Sequence, residues 1–320
     1  MINKLSTKTL ILIFVVLLAV VAIFIIYDSS HGERSFRNTL VSIDTAKVTS
    51  INIYPKATHH KEVHIFKEGN YWKVKLTDGK DVEIPKSKIN QLLSQLLLFQ
   101  PVGVAAQSKD KWKEFQVDTS GTRVEVYQGS NNTADITIGK FTYHRPNNMM
   151  TYVRVGGDDN VYEVLGFMNF EFNHNADYFR DDHVIYDNLN NWNKLSFSYP
   201  GDSSFVLTKL KNHWEIGGQR VDSSNAANYL NTISNLTDPN FIDDPPESLL
   251  RKAKYTLTIQ SSSLGGITVA AFADSSRMAV NSTQYPDTYF DGKKNNFWKR
   301  LFVGKKHFFK SKKSIRRKKS

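Results

Sequence analysis

His59, His60, Glu62 and His64 are the side chains whose types come nearest to a metal-binding set. Alternation along a strand places Glu62 and His64 on one face, where His60 can join them. A zinc site needs three or four converging ligands and an outer layer of hydrogen bonds. A polar hairpin rim accounts for the same residues without a metal. Asp158 and Asp159 follow Gly156-Gly157 and precede Asn160. That stretch is oxygen-rich, as a calcium loop is, but its spacing is not that of an EF-hand and suits a β-turn. Asp181-Asp182-His183 and Asp243-Asp244 have the types of acid–base pairs. Neighbours on a strand point to opposite faces, which argues against a shared site, and Pro245-Pro246 suggests a stiff loop. Trp72 and Trp214 have the rings to stack a sugar, yet their matched positions favour packing under a helix. The phosphate-loop, dinucleotide, H-E-x-x-H and G-x-S-x-G patterns are missing from the sequence. The expectation is no catalytic residue, no metal and no cofactor.

The elements that would carry these residues begin with an apolar run. Leu10–Tyr27 is 18 residues without a charge. As a helix it covers roughly 27 Å, close to the hydrocarbon thickness of a bilayer. Lys4 and Lys8 precede it and favour a cytoplasmic N-terminus, residues 1–9. A cleaved signal peptide is the competing reading. The run is long for one, and Ile25-Ile26-Tyr27-Asp28 offers no small-residue cleavage site. The sequence therefore predicts a single-pass helix at 10–27. The body would lie in the periplasm or another extracytoplasmic space, after a polar linker at 28–46.

Composition narrows the chemistry. The chain has 320 residues, 40% of them hydrophobic, and no cysteine. That excludes disulfides, thiolate zinc sites, thiol nucleophiles and cysteine-ligated iron–sulfur clusters. The net charge of +11 is unevenly spread. Residues 293–320 hold 13 of the 42 Lys and Arg and none of the 31 Asp and Glu, so the body is mildly acidic. In this stretch Phe297, Trp298, Leu301, Phe302, Phe308 and Phe309 mix with Lys299, Arg300, Lys305, Lys306, Lys310, Lys312, Lys313, Arg316, Arg317, Lys318 and Lys319. Read as a basic, aromatic tail, it suits an anionic membrane surface, where each Lys or Arg is worth about 1 kcal/mol. With the body exported, anionic lipid, an anionic envelope polymer or an acidic protein is the expected counterpart, ahead of nucleic acid. The alternatives are a solvated end, or a last packed segment at 302–309.

Two halves of the body read alike. Residues 62–74 align with 204–216, setting Trp72 over Trp214. Each is two alternating strands about a polar turn, the half-buried strand signal. Upstream, Ile51-Asn52-Ile53 lies over Leu195-Ser196-Phe197. Downstream, Ile89, Leu92, Leu93, Leu96 and Leu97 form one helical stripe, and Ala226, Tyr229, Leu230, Ile233 and Leu236 another. Asp222, Ser223 or Ser224 caps the second helix. Strands follow in matched order: 122–127 with 255–260, 136–138 with 267–269, 152–155 with 277–280 and 161–164 with 288–290. The expected fold is α+β: two tandem repeats at 47–165 and 192–292, each an antiparallel sheet with one packed helix, joined by a connector at 166–191.

A strand pair ending Tyr71-Trp72-Lys73-Val74, a helix led by Pro85, and Phe115-Gln116-Val117-Asp118 ahead of a Val-x-Val strand resemble the domain-of-unknown-function 4340 family of bacterial membrane-anchored envelope proteins. That family commonly has Tyr-Gly-Leu-Asp and a proline where this chain has Phe115-Gln116-Val117-Asp118, so the glycine and proline are missing here. Tyr152-Val153-Arg154-Val155, Val161-Tyr162-Glu163-Val164 and Phe179-Arg180-Asp181-Asp182 look like its YVRL, VYLV and LRD segments. The best match lies at 48–185. The resemblance implies a single-anchored protein without an assigned activity, and that the membrane is a bacterial inner membrane. Some relatives are encoded beside ABC-type export or gliding-associated components, which suggests a protein partner in a membrane complex and no chemistry. The expected function is a non-enzymatic binding or assembly module. The alternatives are an extracytoplasmic enzyme acting on envelope polymer, and a polybasic membrane-surface or nucleic-acid binder of reversed topology.

Overall fold

The computed structural model describes residues 16–21, 39–144 and 148–309. Most of the expected span at 10–27 lies outside them. The described piece, 16–21, is helical, with Val16, Leu17, Leu18, Val20 and Val21 about half exposed. Among the described residues no helix is long and apolar enough to cross a membrane. The fold is α+β, dominated by large antiparallel sheets. Contacts divide the chain into two compact units, one reaching Lys75 and resuming over Lys86–Asn175, the other formed by Leu76–Pro85 and the chain from Ala176 on. The division thus falls inside the stretch read as a connector.

In the first unit β1 (Ser50–Tyr54), β2 (Val63–Glu68) and β3 (Tyr71–Lys75) are followed, after β4 (Asp81–Glu83) and the helix Lys86–Leu96, by β5 (Pro101–Ala106), β6 (Thr122–Gln128), β7 (Asn131–His144), β8 (Asn148–Val155) and β9 (Val161–Leu165). The sheet of this unit runs β3-β2-β1-β6-β7-β8-β9-β5. Its apolar face follows from period-two alternation: Ile51, Ile53, Ile65, Val74, Val124, Val126, Ile136 and Val153 are all fully buried. The helix buries Ile89, Leu92 and Leu96. Leu97, expected on the same stripe, falls past the helix end and is about half exposed. A second cluster is formed by Val117, Tyr152 and Val161 with Trp112 and Phe115.

In the second unit β10 (His183–Tyr186), β11 (Trp192–Ser198), β12 (Phe205–Leu210), β13 (His213–Ile216) and β14 (Gln219–Arg220) lead into the helix Ser223–Ser234. Then come β15 (Asn235–Thr237), β16 (Tyr255–Ser261), β17 (Gly265–Ala273), β18 (Met278–Ser282) and β19 (Tyr285–Asp291). The sheet runs β14-β13-β12-β11-β16-β17-β18-β19, and β10 pairs with β15. Asp222 caps the helix, its carboxylate accepting from Asn225 N at 3.0 Å. Ala226, Tyr229, Leu230 and Ile233 are buried in one core with Phe197, Leu207, Leu257 and Val280. Leu236, expected on the helical stripe, is a strand residue.

The stretch 293–320 is not one tail. Phe297, Leu301, Phe302 and Phe308 are buried in the core of this unit. Tyr229 Oη donates to Leu301 O at 2.6 Å, and Asp222 N to Phe308 O at 2.9 Å. The aromatic rings belong to the core because they meet Tyr199, Phe205, Tyr229 and Tyr255 there. Lys299, Arg300, Lys305 and Lys306 point outward from this packed segment and are exposed. Lys310, Lys312, Lys313, Arg316, Arg317, Lys318 and Lys319 lie outside the described residues.

Candidate functional site

The histidine set at 59–64 does not converge. His59 and His60 both adopt positive φ, 53° and 60°. His60 Nδ1 lies 3.3 Å from Tyr54 O, and His64 Nδ1 lies 2.7 Å from Asn52 Oδ1, its ring stacked on Phe66. Glu62 instead accepts from Tyr54 Oη at 2.9 Å. The same hydroxyl reaches Glu125, a buried carboxylate, at 3.3 Å, and Arg123 pairs with Glu125 at 2.7 Å and with Asp135 at 2.8 Å. Sequence reasoning missed this polar ladder. Its signal was the alternation that places Arg123 and Glu125 on the face opposite Val124 and Val126. Burial, then the two carboxylates, holds the Tyr54 phenol well above its usual value.

Asp158 and Asp159 form a turn. Asp158 accepts from Asn160 N at 3.0 Å and from Tyr162 Oη at 2.7 Å. Asp243 and Asp244 have separate partners, Arg180 at 2.6 Å and Lys80 at 2.8 Å. Adjacency does not separate Asp181, Asp182 and His183, contrary to the alternation argument. The two aspartates precede β10, so strand geometry does not apply, and one ligand atom from each of the three lies within 4.8 Å of the others. Asp181 Oδ1 lies 2.6 Å from His183 Nδ1. Tyr285 stacks on His183, its phenol pushed up to about 12 by burial and then by Asp181. Three carboxylate and imidazole ligands of this kind have the chemistry to hold a divalent cation.

The first unit holds the more elaborate site. A short helix, Trp112–Phe115, ends at Gln116, which is left-handed at φ 56°. Val117 N donates back to Trp112 O at 3.0 Å. Asp118 then accepts from Ser120 Oγ at 2.6 Å and Ser120 N at 3.1 Å, bonds that hold its carboxyl below the usual range. This loop rests on two glycines. A Cβ at Gly139 would stand 2.2 Å from Phe115 O, and one at Gly121 would stand 2.6 Å from Gln116 O. Arg154 brackets the loop from β8, donating to Val117 O at 3.0 Å and to Thr137 Oγ1 at 3.1 Å, with its guanidinium 4.1 Å from the Trp112 ring.

Beside this loop β1 ends, β6 begins and β7 bulges between Ile138 and Phe141. The three features leave a cavity of about 410 Å³. Lys56, Gln116, Lys140, Phe141, Phe167, Asn169 and Asn173 are among its walls. Lys56 donates to Gln116 Oε1 at 2.9 Å. Lys140 Nζ sits 5.1 Å from the Phe115 ring centroid and 5.8 Å from that of Tyr152. Among the described residues neither lysine is paired with a carboxylate. Asn169 donates to Gly139 O at 2.9 Å, and Asn173 Oδ1 accepts from Ala57 N at 2.8 Å. Each amide keeps one polar atom for a ligand. Phe141 and Phe167 meet edge to face at 4.9 Å and are both exposed. Two cations, amides and aromatic edges around a cavity have the chemistry to bind a small anionic molecule.

Trp72 stands opposite Lys67 and Trp214 opposite Lys209 in their strand pairs, both half buried. Trp214 packs against the core of the second unit, in keeping with the structural reading. A family model described as Domain of unknown function (DUF4340) matches residues 72–258, more than half of the chain. The match is one stretch running from β3 into β16, further along the chain than 48–185. No curated protein and no solved structure matches the chain. With its Tyr-Trp strand, its bracketed Phe115–Asp118 loop and its Arg154 strand inside or at the rim of the matched stretch, the chain belongs to the DUF4340 family.

Proposed function

We propose that this chain is a membrane-anchored, non-enzymatic binding module of the bacterial envelope, built from a duplicated α+β unit, with the cavity of the first unit as its binding site. Duplication is supported by strand order. Without the short strands β4 and β14, one sheet reads β3-β2-β1-β6-β7-β8-β9 and the other β13-β12-β11-β16-β17-β18-β19. The first ends in β5 against β9. In the second, Phe241 bridges Phe290, and Ile242 N donates to Tyr289 O, so that 240–242 runs along β19. Registers also agree: Ile53 faces Val63 and Val124, as Phe197 faces Phe205 and Leu257.

The anchor is supported by the charge-free run 10–27 and by the exposed aliphatic side chains on its helical piece. A transport-related membrane complex is the partner that the family resemblance suggests. The observation that carries the binding reading is the cavity itself. Counting outward from the shared register, Thr122 and Pro55 correspond to Tyr255 and Tyr199. There the second unit is covered by its own Trp298 and Phe302, while in the first unit Pro55 and Thr122 are buried and the cavity opens beside them, at Lys56 and Gly121.

A second reading, an enzyme acting on envelope polymer, is favoured by Glu62 and Glu125 sharing one tyrosine hydroxyl. Protease added to spheroplasts tests the address. Digestion of the body from outside is expected; full protection until detergent is added would overturn the proposal.

A further inference from the structure

We propose that the cavity of the first unit binds an acidic sugar, a uronate-type residue of an envelope polymer. This rests on the extracytoplasmic binding module proposed above and names its ligand. A sugar acid has three recognisable parts, and the cavity has a counterpart for each. The carboxylate needs a cation, and Lys56 and Lys140 stand at the wall without carboxylate partners. The hydroxyls need donors and acceptors, supplied by the amides of Asn169 and Asn173. The C–H face of the ring needs a flat apolar surface in contact with water, which Phe141 and Phe167 provide.

The volume of about 410 Å³ is in the ordinary range for small-ligand sites. The two cations are lysines, point charges without the fork of an arginine. Each is held by a neutral group, the Gln116 amide in one case and aromatic rings in the other, so neither charge is neutralised in place. The second unit lacks all of this at the corresponding place. Its Tyr199 and Tyr255 are covered by Trp298 and Phe302, and Tyr199 Oη donates to Val303 O at 2.9 Å. One copy closes on its own chain, and the other keeps a charged, open version.

Calorimetry on the detergent-solubilised full chain tests this with trigalacturonic acid, its methyl ester and inorganic phosphate. The acid is expected to bind. The ester, and the Lys56→Gln and Lys140→Gln variants, are expected to bind about tenfold more weakly, the loss of one charge-assisted hydrogen bond. Arg277→Gln, in the second unit, serves as a control that leaves binding unchanged. No heat with the acid, equal binding of acid and ester, or phosphate binding that competes with the acid at equal strength would each overturn the ligand class. The protease experiment on spheroplasts reads the address separately. A body digested from outside with no sugar binding sinks only the ligand, and sugar binding by a protected body sinks only the address.

Discussion

Arg154 Nε donates to the carbonyl oxygen of Val117 at 3.0 Å, while the same guanidinium reaches Thr137 and lies over Trp112. One side chain thus ties the Trp112–Asp118 segment to β8 by a hydrogen bond and a cation–π contact, and bonds to Thr137 on β7 as well. Lysine offers a point charge without the planar fork and cannot make all three. Arg154→Lys is expected to destabilise the first unit by about 2–3 kcal/mol. Urea denaturation checks it; a loss below about 0.5 kcal/mol would show that the bracket is not structural.

Gln116 occupies a left-handed position, φ 56° and ψ 33°, where a β-carbon is costly. Gln116→Gly is expected to raise stability by about 0.5–1 kcal/mol, after the loss of an exposed bond to Lys56. A thermal melt reads the change, and a lower midpoint would refute it.

Gly139 and Gly69 make a contrasting pair. A Cβ at Gly139 meets the Phe115 carbonyl at 2.2 Å, while Gly69, at φ +58°, has nothing within 4 Å. Gly139→Ala is expected to cost about 2–3 kcal/mol and to loosen the loop beside the cavity. Gly69→Ala should cost only the backbone term, about 1 kcal/mol. Equal losses in the two variants would mean that the loop does not rest on β7 as described.

Tyr229 is fully buried, and its phenol is held well above the ordinary value by desolvation, then by Tyr199. The folded state therefore keeps the proton that the unfolded chain releases near pH 10. Stability is fully present below that pH and declines above it, by up to about 1.4 kcal/mol per pH unit for each such group. Urea denaturation between about pH 9 and about pH 11.5 should show the decline, with a smaller slope in Tyr229→Phe. An unchanged slope would place the alkaline loss elsewhere. At neutral pH the same variant should lose about 1 kcal/mol with its bond to Leu301.

Phe308 is fully buried between Phe197, Phe205 and Tyr229. Phe308→Ala is expected to cost about 3–5 kcal/mol. Lys306→Ala, two residues away and exposed, should cost under about 0.5 kcal/mol. If Phe308→Ala were as mild as Lys306→Ala, the closing segment would be a loose tail after all.

Alternation makes the sheets legible in the sequence, because each strand buries one face. The paired tryptophans and the Asp222 cap lie where spacing places them. Under the proposed duplication the strand matches at 136–138 and 152–155 would slip by two residues: Ile138 faces Val153 as Ala271 faces Val280, and Val124 faces Ile136 as Leu257 faces Val269. A shift of two keeps every side chain on its own face, so the hydrophobic pattern cannot detect it. The cavity was not legible. It depends on Gly121 and Gly139 admitting a distant loop, and on a bulge at Lys140, none of which leaves a local trace. The basic, aromatic ending misled because rings that suit a membrane surface suit a protein core equally well.

The closing segment also governs how the second unit can mature. Its core joins Val184 to Phe308, so roughly 120 residues of chain must be present before the hydrophobic face is sealed, a long-range closure of the slow kind. The first unit needs nothing past residue 175. During synthesis it can complete itself while its successor still offers bare aromatic surface, the form in which a nascent chain is most exposed to aggregation and most in need of a chaperone.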